Sequence, residues 1–126
     1  MLTDSPIYVY LPASNVTRAR AFYEQKLGLT AAEEIAGGVV YKFAGGTACF
    51  LYPTKNAGTN RASQAYWQVD DVESEVAALK AQGVVFEEYD VPGMKTVNSV
   101  ATAGGAKTAW FTDTEGNILA LVQDVR

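Results

Sequence analysis

The sequence predicts an α+β fold in which two tandem βαβββ modules form a curved mixed sheet around a cleft. The order of one strand, one helix and about three strands occurs twice along the 126 residues. Glycine-rich turns separate the segments in both halves. Residues 46–51 align with residues 116–121 at a constant offset of 70 (116 − 46), which indicates a duplicated unit.

The first module is predicted over about residues 5–53. It opens with a strand at residues 7–11, because side chains alternate in polarity there. Ser14 or Asn15 caps the helix that follows, and its apolar residues recur at helical spacing until Gly28 ends it. Three strands complete the module, at about residues 30–35, 39–44 and 47–52, with glycine pairs between them.

A linker at about residues 54–63 leads to the second module, predicted over about residues 64–126. The linker is rich in Thr, Asn, Gly and Ser, which are typical of irregular connections. The second module begins with a strand at residues 64–69. Asp70 or Asp71 then caps a helix that ends at the next glycine.

The remainder of the second module is predicted to contain a strand, a long loop and a hairpin. The strand covers residues 84–90. The loop covers residues 91–107 and carries Lys95. It is longer than most connections and is predicted to act as a lid over the cleft. The closing hairpin turns at residues 113–117, where Gly and Asn tolerate the positive φ of a tight turn.

The composition restricts the class of function. A net charge of −4 argues against a nucleic-acid partner. No apolar run is long enough to span a membrane and the start lacks signal-peptide features, so a cytoplasmic location is expected. The single cysteine, Cys49, permits no intramolecular disulfide. The absence of histidine excludes His-based acid–base and nucleophilic systems and the usual zinc or non-haem iron sites within one chain.

Strand periodicity predicts an aromatic pocket. Alternate side chains of a strand lie on opposite faces of the sheet, and the one helix of each module covers a single face. The other face collects aromatic side chains and a few glutamines, a composition typical of small-molecule sites. An alternative interpretation is that these aromatics fill a core or a dimer interface. The predicted pocket residues are Tyr8, Tyr10, Phe50, Tyr52, Gln64, Tyr66, Gln68, Trp110 and Ala120.

The closing hairpin also resembles that of a known family. The turn Asp-x-x-Gly-Asn at residues 113–117, followed by a strand that ends Leu-x-Gln at residues 121–123, resembles the last hairpin of the vicinal oxygen chelate superfamily. This superfamily includes glyoxalase I, extradiol dioxygenases, fosfomycin-resistance enzymes and bleomycin-binding proteins. The resemblance implies paired βαβββ modules around an active site, frequently with dimerisation. Further similar segments are Ala21-Phe22-Tyr23, Leu27-Gly28-Leu29, Val69-Asp70-Asp71-Val72 and Gly83-Val84-Val85-Phe86.

The resemblance also implies where a metal would bind. Metal-dependent members take ligands from the first and last strands of each module, and the matching positions here are Tyr8, Phe50, Gln64 and Ala120. Phe50 and Ala120 have no donor atom, and a phenol needs a lowered pKa to ionise near neutrality. The one remaining amide oxygen does not hold a divalent cation against water. We therefore predict no metal, no cofactor and no metal-dependent glyoxalase or dioxygenase chemistry.

Three functions stay open at this point. The first and favoured one is metal-free binding of an apolar or aromatic small molecule, without catalytic residues, by a homodimer. The second is a metal-independent, lyase- or isomerase-like enzyme. The third is a homodimeric interaction protein without a ligand. The enzyme would use Tyr8, Tyr10 or Tyr66 as general acid, Glu87 or Glu88 as base, and Lys95 beside an oxyanion.

Overall fold

Two mixed β-sheets and two helices make up the structure, a computed structural model that describes residues 1–126. The predicted α+β fold class is confirmed. The first sheet contains Val9–Ala13 (β1), Ala31–Ile35 (β2), Gly38–Lys42 (β3) and Ala48–Pro53 (β4), in the order β1-β4-β3-β2.

The second sheet is larger and has six strands. Its members are Ala65–Gln68 (β5), Asp90–Val91 (β6), Met94–Val97 (β7), Val100–Ala103 (β8), Ala106–Thr112 (β9) and Ile118–Asp124 (β10). Their order in space is β5-β10-β9-β8-β7-β6. β5 and β1 therefore each form one edge of their sheet.

Each helix follows the first strand of its module and begins at a capping side chain. Helix α1 covers Val16–Ala21 and continues as a π-helical turn over Phe22–Lys26. The Asn15 side chain accepts a hydrogen bond from the backbone N–H of Arg18 at 3.0 Å. Helix α2 covers Val72–Ala81, and Asp71 caps it through the N–H of Ser74 at 3.1 Å. Short 3₁₀ turns lie at Leu2–Asp4 and Ala44–Gly46.

Strand pairing shows the same arrangement in both modules. β1 runs parallel to β4, and β5 runs parallel to β10. Cys49 lies between Val9 and Tyr41 in the first sheet. Leu119 lies between Ala65 and Phe111 in the second sheet. Because Cys49 and Leu119 are 70 residues apart (119 − 49), as are Tyr41 and Phe111 (111 − 41), the pairing follows the sequence offset.

The prediction of a strand over residues 84–90 was wrong for most of that segment. Phe86 makes one isolated bridge to Phe111, and only residues 90–91 belong to a strand, β6. The reason is that β8 pairs with residues 106–108 of β9. Only the later residues of β9, near Phe111, remain free to pair with the segment around Phe86. There the Glu87 N–H donates to the carbonyl of Trp110 at 2.8 Å.

The prediction of a long loop over residues 91–107 was also wrong. This segment contains β7 and β8, which end in two-residue turns. Asn98 and Ser99 have φ of 52° and 73°, the geometry of a tight hairpin turn, but they lack the glycine that usually marks one. Lys95, predicted as a lid residue, lies in β7 opposite Asp90, so the segment is built of strands.

One hydrophobic core joins the helix-covered faces of both sheets. Phe22 of the π turn lies 6.3 Å from Phe111 of β9, and Phe43 lies 5.8 Å from Trp67 of β5, measured between ring centroids. Alternate strand residues on the helix-covered faces contribute to this core, namely Leu11, Cys49, Leu51, Ala109, Phe111, Leu119 and Leu121. Ile7 is an exception: it precedes β1 and is 90% exposed, because the sheet begins only at Val9.

Candidate functional site

The open face of module 1 carries a cluster of aromatic rings. Tyr10 pairs with Phe50 across β1 and β4. The Tyr10 ring lies 4.8 Å from Tyr52, edge to face, and 5.9 Å from Phe50. Tyr8 and Tyr10 are 56% and 65% exposed, so rings of this size remain accessible to a ligand. The sequence-predicted residues of this module are therefore brought together.

A cavity of about 440 Å³ lies on this face. Tyr8, Tyr10 and Phe50 line it together with the charged side chains Glu33 and Lys42. Its volume is within the usual range for small-molecule sites. No residue of module 2 lines it.

The open face of module 2 presents a second row of residues. Ala120 lies between Tyr66 and Trp110 in the strand register. Neighbouring strands are about 4.8 Å apart, so the two aromatic residues are roughly 10 Å apart with only a methyl group between them. Tyr66 is 64% exposed. Trp110 is half-buried and packs edge-on against Tyr89 at 5.5 Å.

The two predicted glutamines differ in their surroundings. The Gln64 Oε1 atom is buried and has no hydrogen-bond partner. An unpaired buried acceptor costs on the order of 1–3 kcal/mol. Gln68 is exposed and shares a depression of about 270 Å³ with Tyr66. That depression contains no residue of module 1.

The closing turn at residues 113–117 forms a buried polar network that the sequence did not reveal. The Asp113 side chain accepts four hydrogen bonds, from the Tyr23 hydroxyl, the Asn117 amide and the backbone N–H groups of Glu115 and Asn117. The Asn117 amide also donates to the carbonyl of Pro12 at 2.8 Å. Burial, followed by the nearby Asp113, raises the pKa of Tyr23 far above its ordinary value. The turn therefore joins module 2 to module 1.

Glu115 makes a second connection between the modules. Its fully buried side chain accepts hydrogen bonds from Ser14 Oγ, the Asn15 N–H and the Arg18 guanidinium, at 3.1, 2.9 and 2.8 Å. Burial alone would raise the pKa of Glu115, but the hydrogen bonds, that of Arg18 foremost, outweigh it and lower the pKa to about 2. Tyr23 and Ser14 lie 90 and 101 residues from their partners, so no local spacing indicated these contacts.

The two candidate bases hold local structure in module 2. Glu88 accepts hydrogen bonds from Ser99 Oγ at 2.6 Å and Thr96 Oγ1 at 2.7 Å, and these lower its pKa. Glu87 accepts one from Thr112 Oγ1 at 2.6 Å. Neither carboxylate lines the cavity of Tyr8 and Tyr10, where Glu33 is the only acidic residue.

The residues present do not fit a metal of the kind that metal-dependent members of the vicinal oxygen chelate superfamily bind. Phe50 and Ala120 occupy equivalent places on β4 and β10 and supply no donor atom. No three Cys, Asp or Glu side chains converge into a group that could hold a metal ion.

Neither helix has the length and apolarity that a membrane span requires.

Comparison with known proteins identifies the family. The model of the Glyoxalase/Bleomycin resistance protein/Dioxygenase superfamily matches residues 6–121. The chain therefore belongs to this superfamily. A search of curated protein sequences gives no significant match.

Solved structures share the fold at low sequence identity. A putative glyoxalase family protein from Bacillus anthracis has a TM-score of 0.72 and 18% identity, with 96% of this chain and 95% of that chain covered. TnmS3, an antibiotic binding protein from Streptomyces sp. CB03234, has a TM-score of 0.67, 21% identity and 98% coverage of both chains. The fosfomycin resistance protein FosX from Listeria monocytogenes has a TM-score of 0.69 and 12% identity, with coverages of 95% and 93%.

Proposed function

We propose that the protein binds an apolar or aromatic small molecule, without a metal or another cofactor, on its aromatic open faces. The observation that carries the proposal is the exposure of three tyrosines, each more than half accessible: Tyr10 and Tyr66 on the open faces of the two sheets, and Tyr8 just before β1. Exposed apolar surface of this kind commonly marks a binding site. Antibiotic binding by a protein of the same fold supports the binding of a small molecule.

We further propose that two copies of the chain complete each pocket. The helix-covered faces share one core, and the open-face residues lie outside it. A twofold axis would place module 1 of one copy opposite module 2 of the other and form two equivalent pockets. The free edges of β1 and β5 have unpaired backbone groups. Beside them lies an apolar opening of about 650 Å³, lined by Ile7, Val9, Ala65 and Tyr66 among others, which a second copy would cover.

In this pocket a flat ligand would stack between Phe50 of one copy and Trp110 of the other. Each aromatic contact contributes on the order of 1 kcal/mol beyond burial of area. The unpartnered Gln64 Oε1 would accept a hydrogen bond from the ligand. The free thiol of Cys49 is buried and fits a reducing compartment, so a cytoplasmic location is part of the proposal.

Trp110 fluorescence tests this function. In the Trp67→Phe variant, where Trp110 is the only tryptophan, we expect planar aromatic compounds such as acridine to quench emission to saturation. Calorimetry on the otherwise unchanged protein should show at least five-fold weaker binding for Trp110→Ala, because loss of one stacking contact costs about 1 kcal/mol.

The exposed Val85, replaced by Ala, supplies the control and should leave binding unchanged. Saturable binding that Trp110→Ala leaves intact would place the ligand elsewhere. Failure of a broad panel of planar compounds to bind would instead favour an interaction protein without a ligand.

A further inference from the structure

A second apolar cavity lies on the helix side of the sheets, at the seam between the two modules. Its volume is about 320 Å³, within the range of small-molecule sites. Leu27, Leu29 and Phe43 of module 1 line one side, and Trp67 of β5 and Leu79 of α2 line the other. One chain therefore supplies a complete site here, which does not depend on a second copy.

The position of Trp67 makes this cavity a defined aromatic surface. Its indole stacks on Phe111 with an interplanar angle of 16° and a centroid distance of 6.2 Å. Phe43 packs edge-on against it at 81°. The indole remains partly exposed although both neighbours hold it in place. An aromatic ring packed against this indole gains about 0.5–1.5 kcal/mol beyond burial of its area.

Glu75 is the only charged residue that lines this cavity. It lies on α2 one helical turn before Leu79, so both side chains are on the same side of the helix. None of the ion pairs of the chain includes Glu75, whereas Glu73 on the same helix pairs with Lys107 at 2.9 Å. Apolar walls with one uncompensated carboxylate complement a ligand that is apolar and carries one positive charge.

We propose that this helix-side cavity binds small aromatic monocations, with the ring against Trp67 and the ammonium group at Glu75. The Glu75 carboxylate selects charge, and Leu27, Leu29 and Leu79 exclude water from the ring. This site lies on the helix side of the sheets, away from the open-face pocket. Of the residues predicted for the open-face pocket, only Gln68 also lines this cavity.

Titration with 2-phenylethylamine, followed through the two indole N–H resonances in ¹H–¹⁵N spectra, tests the proposal. The Trp110→Phe variant retains only the Trp67 signal, and this assigns both resonances. We expect the Trp67 signal to shift to saturation while the Trp110 signal stays in place. The uncharged analogue 2-phenylethanol should bind about five-fold more weakly, because it lacks the charge that Glu75 would pair with.

Glu75→Gln should reduce the affinity for the amine about five-fold and leave that for the alcohol unchanged. Glu73→Gln is the matched control, since it removes an equal charge from the same helix outside the cavity, and it should have less than a two-fold effect. Equal binding of amine and alcohol, equal effects of the two Gln variants, or a shift confined to Trp110 would each overturn the proposal. Acridine titration of Trp67→Phe reports the open-face pocket separately, so the two proposals fail independently.

Discussion

Replacement of Asp113 by Ala is expected to lower the free energy of unfolding by about 3–5 kcal/mol. Asp113 accepts hydrogen bonds from the Tyr23 hydroxyl, the Asn117 amide and two backbone N–H groups. Tyr23, Asp113 and Asn117 are all buried, so water does not replace the lost acceptor. Urea unfolding followed by circular dichroism measures the loss.

Two variants make this result specific. Tyr23→Phe removes one donor and leaves Asp113 with its other three partners, so we expect a loss of about 1–2 kcal/mol. Asp124→Ala removes an exposed carboxylate paired with Arg126 and should cost less than about 1 kcal/mol. A cost below 1 kcal/mol for Asp113→Ala would show that the closing turn does not hold the modules together.

Acid is expected to destabilise the protein through Glu115. The pKa of Glu115 is about 2 in the folded chain, below the value of about 4.3 for an unperturbed glutamate. The unfolded chain therefore takes up this proton first as the pH falls, and stability is lost between about pH 5 and pH 2. The loss from this one group is up to about 3 kcal/mol.

Glu115→Gln isolates that contribution from those of other carboxylates. At pH 7 the variant should be about 3 kcal/mol less stable than the natural chain, because it lacks the charged partner of Arg18. The difference should be nearly lost by pH 2, where Glu115 is protonated in the unfolded chain and about half protonated in the folded chain. Unfolding free energies measured at several pH values provide the test, and a difference that is independent of pH would contradict this role of Glu115.

The parts of the fold that the sequence predicted depend on local chemistry. Asn15 and Asp71 cap helices because their side chains reach N–H groups three residues ahead. The alternation of buried residues such as Cys49 and Leu51 follows from strand geometry. Each of these features is determined by residues close together in the chain, and so the sequence pattern was sufficient.

The parts that it did not predict depend on distant pairing. The turn between β7 and β8 is made by Asn98 and Ser99 and contains no glycine. Because glycine is the usual sequence signal of such a turn, the sequence pattern predicts a loop where these two strands lie. Ser99 tolerates its positive φ while its buried hydroxyl donates to Glu88 at 2.6 Å. Ile7 continues the apolar alternation of β1, but the pairing of β1 with β4 begins only at Val9. The pattern within the segment does not indicate where that pairing begins.

The candidate site was predictable only in part. Strand periodicity brought Tyr10, Phe50 and Tyr52 together correctly as one aromatic cluster. Periodicity within a strand does not indicate how the two sheets are placed relative to each other. It therefore did not reveal that the open-face cavity of module 1 is lined by no residue of module 2. It likewise treated Asp113 and Glu115 as turn residues, although their partners lie in module 1.

A mixing experiment tests most directly the proposed pocket made by two copies. Phe50→Ala and Trp110→Ala each remove one aromatic wall, and each variant alone should bind acridine poorly. In a mixed dimer one pocket carries both substitutions and the other carries neither. Unfolding and refolding the two variants together should therefore restore about a quarter of the natural number of binding sites, at natural affinity, by calorimetry. If the mixture binds no better than either variant alone, the two walls do not come from different copies.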